Sequence, residues 1–251
     1  MGRAVVLPLL LASLSMGAPA AMAQDARAAV EAFIARLPDV QISDLVIDQN
    51  LTLYYPDGQR QASLGEQRMF FKLPRRQRLE QTVEGQSVVQ ITVGDRVWVR
   101  RADGLVSELP AAGPVRALAR LLVPGKRLAT DLLAEWRARG VRDDVSHVAR
   151  LGGRTVTVIG ARAGERDVPA VWLDPDYGVV RIVTREQLPS GPGLLDLTLS
   201  EHRPLIGGLH FPYRQEVFAG GTLLILFTVR SVAINTNPAD GLFEPASLRS
   251  R

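Results

Sequence analysis

Apolar and polar residues alternate in a series of short segments that begins near residue 50, and this alternation constrains the fold more than any other feature. It places every second side chain on one face of a β-strand. Six such segments follow one another up to residue 109, separated by the turn-forming sequences PDG at 56–58, PRR at 74–76, EGQ at 84–86, GD at 94–95 and ADG at 102–104. Strands with such short connections predict an antiparallel meander.

Seven further segments with a strand pattern follow between residues 146 and 235. The last of them, TLLILFTVRSVAIN at 222–235, is the longest and the most apolar. The strands do not alternate with helices, which argues against a Rossmann-type parallel sheet. The sequence therefore predicts a mainly β fold built from antiparallel strands.

Helical spacing of apolar residues occurs in two regions. Residues 25–37 predict an N-terminal amphipathic helix with Asp25 as its N-cap. Residues 114–139 predict two short amphipathic helices, because Pro114 suits a first helical position and Gly140 suits a helix end. This helical pair interrupts the strands, so its apolar sides must cover another part of the molecule.

The residues that carry most enzymatic and metal chemistry are missing or scattered. There is no cysteine, which excludes disulfides, thiolate metal sites and cysteine nucleophiles. The motifs HExxH, GxSxG, SxxK, GxGxxG and GxxxxGK[ST] do not occur. We interpret Asp174 and Asp176 in DPDYG as turn residues and expect His202 and His210 to face solvent. The protein is therefore predicted to be no enzyme and to use no cofactor and no metal.

The first 23 residues have the features of a secretory signal peptide. Arg3 precedes the apolar run VVLPLLLASL at residues 5–14, and the small-x-small sequence Ala21-Met22-Ala23 predicts cleavage before Gln24. The apolar run is too short to favour a membrane anchor. We expect an exported chain with a single domain over residues 24–251.

Residues 70–83, FFKLPRRQRLEQTV, place a proline and several cations between two predicted strands. The alternatives are a nucleic-acid patch, an active-site loop and a hairpin corner. The formal charge of the chain is only +4, with acids balancing abundant arginines, so no nucleic-acid partner is predicted. We interpret the stretch as a corner at which Arg75 and Arg76 are exposed.

Apolar side chains of the first meander and of the predicted helical pair form one candidate set. We predict that this set lies on one face of the sheet and beneath the inserted helices; it consists of Met69, Phe71, Leu73, Leu79, Val89, Ile91, Leu118, Leu122, Leu132 and Trp136. Such a set can fill a closed core, or it can line a hollow ligand-binding cavity. The sequence pattern leaves both alternatives open.

The order of these segments resembles the LolA/LolB-like periplasmic lipoprotein carriers, the outer-membrane lipoprotein-sorting proteins. The resemblance covers most of residues 25–247 and rests on the order of FFKLPRRQRLEQTV, GDRVWVRRADG, the helical pair, VWLDPDYGVVRIV and NTNPADGLFEP. In the family the corner reads Arg-Pro, and that arginine is thought to hold a lid. Here the corner reads Leu73-Pro74, so the same latch is not implied.

The resemblance implies an incomplete antiparallel β-barrel with an N-terminal helix and a helical lid over about residues 114–139. It further implies a monomeric periplasmic protein whose apolar cavity shields the acyl chains of lipoproteins or lipids. Its partners would be those ligands and the transfer proteins of the inner and outer membranes. The alternative is a non-carrier module of the same fold that senses or regulates envelope state through a protein partner.

Overall fold

A computed structural model describes residues 25–55, 57–109, 122, 126–188 and 191–249. Within these residues thirteen strands form one sheet. In chain order the strands are β1 (Asp44–Tyr54), β2 (Gln61–Lys72), β3 (Arg76–Val83), β4 (Gln86–Val93), β5 (Arg96–Arg100), β6 (Val106–Leu109), β7 (Ser146–Leu151), β8 (Arg154–Ile159), β9 (Ala170–Asp174), β10 (Gly178–Leu188), β11 (Gly191–Pro204), β12 (His210–Ala219) and β13 (Thr222–Ile234).

The sheet consists of two antiparallel meanders joined edge to edge. The spatial order is β6-β5-β4-β3-β2-β1-β13-β12-β11-β10-β9-β8-β7, so the first and the last strand of the chain pair in the middle. That pairing runs from Leu45 opposite Ile234 to Leu53 opposite Ile225. The sheet is open, with β6 and β7 at its edges. The predicted mainly β fold with an incomplete barrel is confirmed.

Two helices are described besides the strands. The first, α1 (Ala26–Arg36), begins as predicted, since the Asp25 carboxylate accepts a hydrogen bond from the backbone N–H of Arg27 at 2.9 Å. The second, α2 (Ala129–Arg137), is the second helix of the predicted lid. Of the lid's first helix, predicted over residues 114–122, only Leu122 falls within the described residues.

The sheet face that packs against α1 and α2, here called the inner face, carries the largest apolar cluster. Leu45 and Ile47 of β1 are fully buried in it. Val30 of α1 and both Leu133 and Trp136 of α2 belong to the same cluster. The helices therefore cover the inner face by burying their apolar sides against it.

The opposite, outer face of the first meander is covered by the end of the chain. Two 3-10 turns follow β13, at Asp240–Phe243 and Pro245–Leu248. Phe243 is buried against Val46 and Phe70, whose side chains alternate with those of the inner face. The strands β1 and β2 are thus covered on both faces.

Candidate ligand-binding face

Strand pairing decides which of the predicted cavity residues share a face. On β2, Met69 pairs with Ile47 on one side and with Leu79 on the other. Phe71 pairs with Leu45 of β1. Met69 and Phe71 are buried in the inner cluster, and Leu79 is half-buried against it. The structure therefore brings these three predicted residues together on the inner face.

The prediction that Val89 and Ile91 share this row is wrong. The pairing of β3 with β4 places Gln90 opposite Leu79. Neighbouring residues of a strand point to opposite faces, so Val89 and Ile91 lie on the outer face. There they are buried against Leu248 of the second 3-10 turn. A shift of one residue in the assumed pairing exchanges the two faces of a whole strand.

Leu73 lies in the connection between β2 and β3, where it is 36% exposed. Its backbone N–H donates a hydrogen bond to the Ser43 carbonyl at 2.9 Å, and its peptide bond to Pro74 is cis. Arg75 and Arg76 are exposed beside it. The interpretation of the basic stretch as a hairpin corner is confirmed, and Leu73 lies at the edge of the row rather than inside the buried cluster.

The predicted lid residues that the structure describes all contact the inner cluster. Leu122 is buried in it, and Leu132 is half-buried against it. Trp136 of α2 is only 1% exposed. Leu118 lies outside the described residues. The helical insertion thus contributes at least three apolar side chains to the inner face.

Several apolar residues of the inner face remain partly accessible, and the sequence analysis did not select them. Leu53 of β1 pairs with Ile225 of β13, and both are half-buried. Phe227 and Leu195 are likewise only half-buried against the inner cluster. The apolar character of TLLILFTVRSVAIN indicated burial, but its two faces could be assigned only once its partner strands were known.

A row of glutamines crosses the same face. Gln49 donates through Nε2 to Gln67 Oε1 at 2.7 Å, and Gln67 donates through Nε2 to Gln81 Oε1 at 2.8 Å. Among the described residues, Gln49 Oε1, Gln215 Nε2 and Trp136 Nε1 are buried with no hydrogen-bond partner. A buried polar atom without a partner costs about 1–3 kcal/mol. We call Gln49, Gln67, Gln81 and Gln215 the inner-face glutamines.

The cations around the corner hold the chain's end against the outer face. Lys72 and Arg76 both bind Asp240, at 2.7 and 2.9 Å. The hydrogen bond from Lys72 is the main reason that the pKa of Asp240 is lowered. Arg78, only 8% exposed, binds Glu80 and donates to the Leu242 carbonyl and Ser247 Oγ. These cations therefore have a structural role.

A second polar cluster lies at the β9–β10 turn, away from the predicted row. Asp174 binds Arg154 and accepts hydrogen bonds from the backbone of the turn, which confirms that DPDYG is a turn. Tyr177 stacks on His202 with ring centroids 4.4 Å apart and lies edge-on to His210 at 5.0 Å. Both histidines are half-buried, so the expectation that they face solvent is wrong.

Burial strongly affects His202. It lowers the pKa of the imidazole to about 4. In the segments that the structure covers, His202 Nε2 and His210 Nδ1 have no hydrogen-bond partner. A cavity of about 310 Å³ lies beside His210, between the end of α1 and two turns, and Phe33, Arg36, Asp176 and Tyr177 line it together with His210.

Residues 25–55, 57–109, 122, 126–188 and 191–249 contain no group of three or more histidine, aspartate or glutamate side chains placed to hold a metal ion. None of their helices has the length and apolar character needed to cross a membrane.

No protein-family profile matches the chain, and no curated protein matches it in sequence. Solved structures do match in three dimensions. A putative outer membrane lipoprotein-sorting protein domain from Vibrio parahaemolyticus is 12% identical with a TM-score of 0.54, and the match covers 89% of this chain and 98% of that one. A LolA superfamily protein from Nitrosomonas europaea is 12% identical with a TM-score of 0.51, with 88% and 98% covered.

A DUF1329 family protein from Desulfovibrio piger is also similar, at 13% identity and a TM-score of 0.54, with 89% and 99% of the two chains covered. Such low identities establish the fold alone. The chain therefore has a LolA-like fold, as the resemblance of its segments implied.

Proposed function

We propose that this chain, with its LolA-like fold, is a periplasmic carrier or binding protein that shields acyl chains of lipoproteins or lipids on its inner face. The observation that carries the proposal is the apolar inner face itself. Leu53, Leu195, Ile225 and Phe227 lie on it without being fully buried. Apolar surface that stays accessible on one face of a sheet is typical of a site that receives an apolar ligand.

Burial of hydrocarbon supplies the binding energy. Each methylene removed from water contributes about 0.8 kcal/mol, so about ten of them contribute roughly 8 kcal/mol before the cost of association is subtracted. No bond is made or broken in this mechanism, so no catalytic group and no cofactor is needed. Release of the ligand would follow from movement of the helical lid over residues 114–139.

The proposed site comprises those half-buried residues together with Met69, Phe71, Leu79, Leu122, Leu132 and Trp136, and Leu73 lies at its edge. Leu118 would complete it from the first lid helix. Residues 1–23 would be removed on export, leaving a single monomeric domain over residues 24–251. Its partners would be the acylated ligand and the membrane proteins that deliver and accept it.

A pair of variants tests the proposal. Leu53→Glu places a carboxylate on the inner face, whereas Leu64→Glu places one on the outer face of β2, where Leu64 is 61% exposed. We expect Leu53→Glu to weaken binding of a dansyl-labelled undecanoic acid at least about ten-fold, because a buried charge is costly. Leu64→Glu should change it less than about two-fold. Fluorescence titration measures both.

Two results would count against the carrier. One is equal affinity of Leu53→Glu and Leu64→Glu for the dansyl-labelled probe, because the inner face would then not be the acyl-binding site. The other is a wild-type chain that binds neither this probe nor a palmitoylated peptide but forms a stable complex with an envelope protein. That second result would favour the sensor or regulatory module.

A further inference from the structure

The cavity between the end of α1 and the β9–β10 turn, here called the rim pocket, combines apolar walls with two charged side chains. Its volume of about 310 Å³ is near the lower end of the range found for small-molecule sites. Arg36, Asp176 and Gly208 of its lining are exposed, so the cavity opens to solvent. Its apolar walls are formed by Phe33, Leu37, Pro38, Pro175 and Leu209.

The walls of the rim pocket are held in place by packing around it. The Tyr177 ring stacks on His202 with an angle of 5° between the two planes, and the Arg154 guanidinium lies 4.2 Å from the centre of the same ring. A Cβ atom at Gly178 would lie 2.9 Å from Phe33 Cζ, so glycine is needed for α1 to approach this turn. The cavity is therefore preformed, which lowers the cost of binding a ligand.

The two charged side chains of the lining are not paired with each other. Arg36 lies in the last turn of α1, and among the described residues it forms no ion pair. Arg154 donates to Asp176 Oδ2, whereas Asp176 Oδ1 accepts no hydrogen bond from the described residues. A cation and a carboxylate thus border one open cavity, and each has hydrogen-bonding capacity left for a ligand.

The carboxylate side of the rim pocket keeps a negative charge. Arg154 binds both Asp174 and Asp176, so one guanidinium serves two carboxylates. A ligand that carries only an anion would be attracted by Arg36 and repelled by Asp176, and a ligand that carries only a cation would meet the reverse. A ligand with both charges is favoured on both sides.

We propose that the rim pocket binds a small zwitterion of the phosphoethanolamine type, which carries an ammonium group and a phosphate. Arg36 would donate to two phosphate oxygens, an arrangement that suits the planar guanidinium. The ammonium would donate to Asp176 Oδ1, and the short carbon chain would pack on Phe33. This inference goes beyond the proposed acyl-binding function and does not require it.

The test titrates the isotope-labelled chain with glycerophosphoethanolamine and with glycerophosphoglycerol, in which a glycerol hydroxyl group replaces the ammonium, and follows the amide resonances by NMR. We expect glycerophosphoethanolamine to shift the resonances of Arg36, Tyr177 and Gly208 and to bind about three- to five-fold more tightly, a modest ratio because Asp176 is exposed. Equal affinities, or no shifts at these residues, would overturn the proposal.

Three variants assign the two charges. Asp176→Asn should remove the preference for the ammonium-bearing probe, and Arg36→Gln should weaken both probes by about three- to five-fold. Arg27→Gln is the matched control, because Arg27 is also an exposed arginine of α1 but does not line the cavity, and it should change neither affinity. If a variant fails to fold, the ratio of the two affinities in the wild-type chain still decides the question.

A second titration identifies the source of the zwitterion, which is either a lipid head group or a free molecule. Dodecanoyl lysophosphatidylethanolamine and dodecanoyl lysophosphatidylglycerol compete with the dansyl-labelled undecanoic acid. A preference for the first lysolipid that Asp176→Asn removes would support a head-group site. A preference confined to the glycerol phosphodiesters would support a site for a free zwitterion. Failure of both lysolipids to displace the dansyl acid counts against the acyl-binding function alone.

Discussion

His202 is the side chain whose chemistry the surrounding structure changes most clearly. Tyr177 stacks on its ring, and the Arg154 guanidinium lies 4.2 Å from the centre of the Tyr177 ring on which it packs. Burial of the imidazole disfavours the charged form, which is why its pKa falls to about 4. This shift cannot be predicted from the sequence, because His202 and Tyr177 are far apart in the chain and meet only through the pairing of strands β9 to β12.

The shifted pKa predicts a pH dependence of stability. The folded chain keeps His202 neutral down to about pH 4, whereas the unfolded chain takes up that proton near pH 6.5. The unfolded state therefore binds more protons in this window, so the free energy of unfolding decreases as the pH falls from 6.5 to 4. We expect a loss of roughly 1–2 kcal/mol from this group, because partial exposure screens the full effect.

Urea unfolding of the wild-type chain and of His202→Gln between pH 7 and pH 4 measures this contribution. The variant has no imidazole at this position, so its stability should change less over the window. Identical slopes for the two proteins would show that the ring titrates normally in the folded state.

Strand alternation predicted the strands well but not the faces of all of them. Each of the thirteen strands overlaps a segment with a strand pattern in the sequence. The face of β4 was misassigned because it depends on the turn before it. Glu84 and Gly85, both with positive φ, form a two-residue turn that pairs Val83 with Gln86. Counting back from that pair places Gln90, not Val89 or Ile91, opposite Leu79.

The first half of β1 escaped prediction for a different physical reason. Leu45, Val46 and Ile47 are consecutive and all buried, so this segment has no alternation. Leu45 and Ile47 belong to the inner cluster, whereas Val46 is covered by the 3-10 turn that carries Phe243. A strand covered on both faces has an apolar pattern that periodicity alone does not identify. The covering turn is itself too short to be predicted from spacing.

The arginine Arg78, next to the basic corner, is predicted to stabilise the segment after β13 that covers the outer face. Arg78→Met removes the hydrogen bonds to the Leu242 carbonyl and Ser247 Oγ and leaves the carbonyl without this donor. We expect a loss of about 2–3 kcal/mol in the free energy of unfolding. Arg75→Met is the matched control, because Arg75 is exposed and its ion pair with Asp95, at 3.3 Å, joins two exposed side chains. It should cost less than about 0.5 kcal/mol.

Urea unfolding gives both values, and limited proteolysis at residues 235–249 gives an independent measure. Faster cleavage of Arg78→Met, with no change in Arg75→Met, would support the view that Arg78 holds residues 235–249 against the sheet. Equal stability and equal cleavage of the two variants would show that apolar packing of Phe243 and Leu248 holds this segment without the arginine.

The two meanders meet through β1 and β13, so the chain's two halves contribute to one continuous inner face. Met69 and Phe71 come from the first meander, and Leu195, Ile225 and Phe227 come from the second. Residues separated by more than a hundred positions therefore share the surface on which an acyl chain would lie. The order of the sequence segments was enough to predict an acyl-binding site. The residues that the second meander contributes to it could be identified only from the strand pairing.

Native mass spectrometry of the chain purified from the periplasm of an expressing bacterium tests the acyl-binding account most directly. We predict a protein beginning at Gln24 that carries acyl-lipid-sized adducts, loses them on collisional activation and regains them when mixed with lipid. Leu53→Glu should show lower occupancy, and Leu64→Glu should match the wild-type chain. A wild-type chain that remains free of adducts both as purified and after mixing with lipids and acylated peptides would contradict the account.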